Sequence, residues 1–309
     1  MTSTAVPAGP LPVGVIGLGD IAQKAYLPVL TALPGLDLRL MTRDRAKLDR
    51  LGEAHRIDAE RRFTDLDALV DSGIRAAFVH AATDQHVPIV ERLLDAGVDV
   101  YVDKPLDYTV DGARKLVDLA DRTGRSLMVG FNRRHAPGYA QALERPRDLI
   151  VLQKNREGLA EAARTLVFDD FVHVVDTLRF LAPGEIEHVD VRARKDREGL
   201  VEHVVLTLGG EGFTALGIMN RVSGSTEEVL EVSGGDSKRE VRNLAEVIDH
   251  RGQPTVRRRG DWVPVARQRG IEQCVLAFLD AVRAGRTLDA HDALRTHELC
   301  ELIVERIGE

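Results

Sequence analysis

From residue 11 onward, short apolar runs alternate with amphipathic stretches, and this alternation limits the fold more than any other feature of the chain. VGVIGLG, LDLRLMT, AAFVHAAT, VDVYVDKP and SLMVGFN are strand candidates; AYLPVLTAL, HVPIVERLLDAG and VDGARKLVDLADRTG between them carry helical spacing. Strand then helix, repeated, predicts an α/β fold with a parallel, doubly wound sheet. The first run passes directly into Gly17-Leu18-Gly19-Asp20-Ile21-Ala22, a G-x-G-x-x-A pattern. Gly17 permits a tight turn, Gly19 lets the backbone approach a pyrophosphate, and Ala22 is small enough for the helix to pack on the strand. The helix N-terminus, with Asp20 and Ile21 in it, then faces the anion. The strand before and the helix after supply the context that the pattern needs, so the turn is predicted to bind a dinucleotide.

The end of the second strand selects the cofactor. A free ribose 2′-hydroxyl wants an acid there, whereas a 2′-phosphate is repelled by one and wants a cation. The sequence has Thr42 and Arg43, with Asp44 arriving late. A hydroxyl beside a guanidinium suits a phosphate, so NADP is favoured and NAD is the alternative. The plainer reading makes Arg43 and Arg45 solvated loop cations.

A chain of 309 residues exceeds one modest core, and about 150 residues per domain suggests two domains. The net charge of −7 argues against nucleic acid as a partner, since phosphate binding wants a basic face. No window approaches the ~20 uncharged apolar residues of a membrane span. The opening MTSTAVPAGP lacks both the basic start and the apolar run of a signal peptide, and reads as a disordered leader over residues 1–10. Cys274 and Cys300 lie far apart among apolar helical residues, with no nearby cysteine to complete a metal site. Buried free thiols, no bound metal and a reducing cytoplasm are the expectation.

Beyond RHAPGYAQALERPRD the period becomes strand-like. LIVLQKN, HVDVRARK, HVVLTLGG, FTALGIMN and EVLEVSGG alternate, and Gly209-Gly210 marks a hairpin. Two amphipathic helices, roughly 268–284 and 289–307, close the chain with Gly285 between them. Lys154 and Arg156 end the first of these strands, either as solvated cations or as contacts to an anionic or polyhydroxylated ligand. VRRRGDW, 256–262, reads as an exposed hairpin rim whose Trp262 can serve a subunit contact.

FDDFVHVVDTLRFL reads as a helix. At about 100° per residue, Asp169, His173 and Asp176 fall within about 60° of one another, and apolar residues cover most of the remaining circumference. Such a polar stripe is either satisfied internally or faces a cleft. Asp169 and His173, at i and i+4, are neighbours able to hydrogen-bond.

The motifs GLGDIAQKAYLPVL, TDQHVPIVERLLDAGVDVYVDKPL, LMVGFNRRHAP and DDFVHVVDTLRFL occur in this order. Together they resemble the glucose–fructose oxidoreductase / inositol dehydrogenase (Gfo/Idh/MocA) family, and their wording is most similar to its MviM-type branch. The resemblance implies a Rossmann dinucleotide-binding domain over 1–133 and a C-terminal α+β domain over 134–309. The second domain would carry an open, mostly antiparallel sheet that packs subunits into a homodimer or homotetramer. It also implies hydride transfer between a nicotinamide and a sugar, polyol or related small molecule. Asp103-Lys104-Pro105 occupies the family's Glu-Lys-Pro motif, with Asp for Glu. Asp103 would bond the nicotinamide ribose, Lys104 would point at the reacting carbonyl, and Pro105 would fix the turn, where a cis bond is anticipated. Ala82, Thr83 and His86 match positions beside the cofactor, although a helix-start role serves His86 equally well. Asp169 and His173 fall on the family's catalytic Asp-x-x-x-His pair, and Asn132 and Arg133 lie near where substrate would sit. Phe171, where many members have a small residue, implies a reshaped substrate space. The competing reading is a nucleotide-binding sensor that keeps the pocket without turnover; the intact Lys104 and His173 argue for the enzyme.

Overall fold

The computed structural model describes residues 9–308, so the leader read over 1–10 lies, apart from residues 9 and 10, outside the described residues. Two compact units share the chain. One comprises the residues up to Gly130 together with Cys274–Leu294; the other comprises Phe131–Gln273 and the residues from Arg295 onward. A single cut between 133 and 134 therefore does not describe the division. Cys274–Leu294 returns to the first unit because its apolar face has partners there: the Phe278 ring meets Phe78 at 5.3 Å and Tyr101 at 5.8 Å, edge-on in both cases.

In the first unit, β1 (Leu11–Ile16), β2 (Leu36–Met41), β3 (Arg62–Phe63), β4 (Ala76–Val79), β5 (Asp99–Val102) and β6 (Leu127–Val129) form one sheet in the order β3-β2-β1-β4-β5-β6. Every pair is parallel. Strands buried on both faces read as continuous apolar runs, and β4, AAFV, is buried at every residue. The helices between strands are capped as their sequences dictate. Asp44 caps Arg45–Ala54 and Thr109 caps Val110–Thr123, which Gly124 ends at φ +64°. Between β1 and β4 the winding reverses direction, and ligands of such sheets bind beyond the strands' carboxyl ends at that point.

In the second unit, β7 (Leu149–Asn155), β8 (His188–Lys195), β9 (Val201–Gly210), β10 (Phe213–Asn220), β11 (Glu227–Gly234), β12 (Ser237–Arg242), β13 (Glu246–His250) and β14 (Thr255–Arg258) form a sheet in the order β14-β13-β12-β11-β7-β10-β9-β8. Only the β10–β7 pair is parallel; the others are antiparallel. Alternation sends Ile150, Leu152, Val204, Leu206, Leu208 and Leu230 to a buried face. The helix Val172–Leu181 packs on it across β7 and β10. Gly217 permits that approach, since a Cβ there would stand 2.7 Å from a Val174 methyl. Both cysteines are free and buried. No helix among the described residues is long and apolar enough to cross a membrane.

Candidate functional site

The turn after β1 opens onto a cavity of about 330 Å³ in the first unit. Gly17 sits at φ +82°, and a side chain there would collide with the backbone of His80 and Ala81. An added Cβ at Gly19 would meet nothing within 4 Å, which leaves this stretch of backbone open to a ligand. Ala22 is fully buried, as close helix–strand packing requires. Opposite the turn, Thr42, Arg43 and Lys47 line the cavity, with Ala81, Ala82 and Gln85 along the wall that follows β4. Asp44 is turned away: its carboxylate accepts the Lys47 amide at 3.0 Å. Arg43 pairs with no acid among the described residues, whereas Arg45 is held by Asp49 at 2.8 Å. These residues fit the phosphate-bearing end of a dinucleotide.

Of the expected cofactor residues, Gly17, Gly19, Thr42, Arg43 and Ala82 line this cavity, while Asp20, Ile21, Thr83, His86, Asp103, Lys104 and Pro105 do not. Asp20 is exposed and pairs with Lys24 at 2.6 Å. His86 both begins the helix His86–Asp95 and acts as a tie: Nδ1 lies 2.9 Å from the Pro105 carbonyl and Nε2 3.0 Å from the Ala81 carbonyl. The cavity wall is thereby linked to the Lys104–Pro105 turn, whose peptide bond is cis. Asp103 follows β5 and accepts the Lys104 amide at 3.0 Å. Burial raises its carboxyl, against the opposing pull of the Lys104 charge and amide. His80, which pattern reading passed over, also borders the cavity; burial and then His86 push its imidazole down to about 3.

In the second unit the polar helix is not α-helical throughout. Leu166–Phe171 is π-helical and the α-helix begins at Val172. Hydrogen bonding from i to i+5 shifts the angular phase of Asp169 away from the α-helical value of about 100° per residue, whereas His173 and Asp176 both lie in the α-helical part. Asp169 and His173 are half-buried. Asp176 is instead fully enclosed: it takes both arms of Arg134, at 2.6 to 3.1 Å, and the Thr296 hydroxyl at 3.1 Å. Arg134 is accordingly the ion-pair partner of Asp176. Phe171 is fully buried.

Two carboxylates that pattern reading missed organise the rest of this region. Asp170 is shared by three cations: Lys154, Arg156 at 2.9 Å and Arg221 at 3.0 Å. Burial alone would raise its carboxyl, but Lys154 and Arg156 hold it well below the usual carboxylate range. Glu228 receives both arms of Arg133, at 2.8 and 2.7 Å, and the Tyr139 hydroxyl at 2.9 Å. Lys154 is 2% exposed, so the solvated reading of that strand-end cation fails. A signal was present, because Lys154 and Arg156 at i and i+2 share one face of an extended chain. Asn132 donates its side-chain amide to the Arg269 carbonyl at 2.7 Å.

Residues 11–131 match the family model described as "Oxidoreductase family, NAD-binding Rossmann fold", for GFO_IDH_MocA, and residues 139–251 match a YceM-like C-terminal domain. YceM of Salmonella typhimurium is 33% identical over 88% of this chain and 90% of its own length. The chain belongs to the Gfo/Idh/MocA oxidoreductase family. The crystal structure of a dehydrogenase (MviM) from Clostridium difficile superposes with a TM-score of 0.89 at 29% identity, covering 96% of this chain and 99% of that one. An inositol 2-dehydrogenase of Paracoccus denitrificans is 30% identical over 55% of this chain and 54% of its own length.

Proposed function

We propose that this oxidoreductase uses NADP(H) to interconvert a hydroxyl and a ketone on a sugar- or polyol-like molecule. The observation that carries the reading is the Gly17–Gly19 turn opening onto a cavity whose other side presents Thr42 and Arg43. That arrangement suits a dinucleotide with a 2′-phosphate. The substrate class is argued from the inositol 2-dehydrogenase relative.

When bound, the nicotinamide supplies or accepts the hydride at the substrate carbon. The protein's part is electrostatic and protonic. Negative charge develops on the substrate oxygen as a ketone is reduced, and Lys104 carries the positive charge that stabilises it. His173 exchanges the proton, since an imidazole gives and takes protons near neutrality. Asp169 orients the ring and favours its charged form. Asp103 and Pro105 set the direction of the Lys104 turn, and His86 ties that turn to the cavity wall.

The test is NADPH consumption over a panel of keto-sugars, cyclic polyol ketones, and the acids and phosphate esters of such keto compounds. Turnover of at least one member is expected. Tight NADPH binding with no turnover across the panel would favour the sensor reading. We also propose that the open face of the second sheet, where Val151, Val205, Leu216 and Ile218 are half-buried, joins copies of the chain. Light scattering should then give a dimer or tetramer that Leu216→Glu breaks; a monomer before substitution would remove this part.

A further inference from the structure

The second unit contains a cavity of about 220 Å³ bordered by Arg133, Lys154, Arg156, Glu228, Asn243 and Arg269. A water occupies about 30 Å³ in the liquid, so the space admits an oxyanion with adjoining carbon atoms. Its charges do not balance. Asp170 answers Lys154, Arg156 and Arg221 together, and Glu228 answers Arg133. Glu227, also on the rim, accepts from Asn155 and Ser225 at 3.0 Å each. Arg269 is exposed and pairs with no acid among the described residues. Cations therefore outnumber carboxylates around this cavity.

Sharing one carboxylate among several cations is not by itself evidence of a ligand. Asp249 is likewise shared by Arg145, Arg239 and Arg257, and Arg239 there is as buried as Lys154 is beside Asp170. What sets the Asp170 cluster apart is that two of its cations, Lys154 and Arg156, also border the cavity of about 220 Å³. Burial, reinforced by Arg133, pushes the Lys154 ammonium down to about 7. With Asp170 shared three ways, an anion in the cavity would further offset the burial cost of Lys154 in its charged form. Guanidinium forks at the rim match the paired oxygens of carboxylate and phosphate groups.

We propose that this cavity binds the acidic group of the substrate, so that the molecule turned over is a sugar-sized acid or phosphate ester rather than a neutral polyol. The proposal rests on the oxidoreductase reading above for what the substrate undergoes, and on the cavity alone for its charge.

Calorimetric titration of the full chain without nucleotide, using inorganic phosphate, gluconate, glucose 6-phosphate and glucose, tests it. At least one of the two sugar-derived anions should bind tenfold or more tighter than glucose. Comparing gluconate with glucose 6-phosphate separates the carboxylate from the phosphate source, and inorganic phosphate should compete with whichever binds. Arg269→Ala and Lys154→Met should each weaken the anion tenfold or more without changing the response to glucose. Should Lys154→Met fail to fold, Arg269→Ala, at an exposed side chain, decides alone. Equal affinities for acid and neutral sugar, no saturable binding of either acid, or anion binding indifferent to Arg269→Ala overturns the proposal. NADPH titration of the same samples reads the other unit, so a failure of cofactor binding is distinguishable from a failure here.

Discussion

Asp44 turns its carboxylate onto the backbone amide of Lys47, 3.0 Å away, and caps the helix Arg45–Ala54 with it. Its other oxygen lies 3.9 Å from the Lys47 ammonium, so among the charged side chains lining the cavity Arg43 is the one that pairs with no acid among the described residues. NADPH should therefore bind at least tenfold more tightly than NADH, a difference of about 1.4 kcal/mol. Fluorescence titration measures both affinities, and Arg43→Ala should erase most of the gap. Equal affinities in the unmodified chain would remove the NADP assignment.

Lys104 and His173 are assigned different tasks, and their variants should separate accordingly. His173→Ala and Lys104→Ala should each lower kcat by roughly 10²-fold or more, the usual scale for positioned acid–base groups. His173→Ala should keep its NADPH affinity, because the residues proposed to hold the cofactor all belong to the first unit. An unchanged kcat in His173→Ala on a good substrate would make that histidine structural.

Much of this architecture is legible in the sequence because binary pattern decides it. LIVLQKN and FTALGIMN coincide with β7 and β10, and the G-x-G-x-x-A turn lies where strand meets helix. What escaped the pattern did so for physical reasons. Strands β12 and β13, SKREVR and EVIDH, look solvated, but Arg239 and Asp249 are cross-strand partners that bury one another at 2.8 and 3.1 Å. The π-helical segment is a change of hydrogen-bond register, which leaves no trace in side-chain periodicity. Asp170 gains its meaning from Lys154 and Arg221, residues distant in sequence that only the folded sheet brings to it.

Arg133 illustrates how a residue expected near substrate can also be structural. Its guanidinium and the Glu228 carboxylate are both nearly excluded from solvent and fully engaged with each other. Removing one member of such a pair leaves a buried charge without its partner, so Glu228→Ala should destabilise the fold by about 3–5 kcal/mol. The double replacement Arg133→Met with Glu228→Leu should cost much less, because it removes both charges. Urea denaturation of both variants checks the difference. Arg133, then Lys154 and the Tyr139 hydroxyl, outweigh burial and hold Glu228 at about 2. An ordinary glutamate titrates near 4.3, so this contribution is present above that pH and lost as pH falls towards 2. A cost below 1 kcal/mol for Glu228→Ala would show that the pair is hydrated in solution.

His80 should govern how the protein responds to mild acid. It is 5% exposed, and neither ring nitrogen has a hydrogen-bond partner among the described residues. The Tyr26 ring lies 4.0 Å away, centroid to centroid. Burial and the nearby His86 push its imidazole down to about 3. An unfolded histidine takes up its proton near pH 6.5, so the unfolded chain binds more protons than the folded one between those values. Its contribution is therefore fully present above about pH 6.5 and is lost as the solution is acidified towards 3, at up to about 1.4 kcal/mol per pH unit. His135, lowered by burial and by Arg134, adds a slope of the same sign. Replacing His80 with Phe keeps the ring stacking and removes two unpartnered buried nitrogens, each costing about 1–3 kcal/mol when left unsatisfied. His80→Phe should thus be at least as stable as the unmodified chain near neutrality, and its advantage should grow by about 2 kcal/mol between about pH 6.5 and about pH 5. Urea denaturation of both proteins without nucleotide, at those two pH values, gives the comparison. A gap that stays constant on acidification would mean that the folded protein protonates His80 as readily as the unfolded chain does.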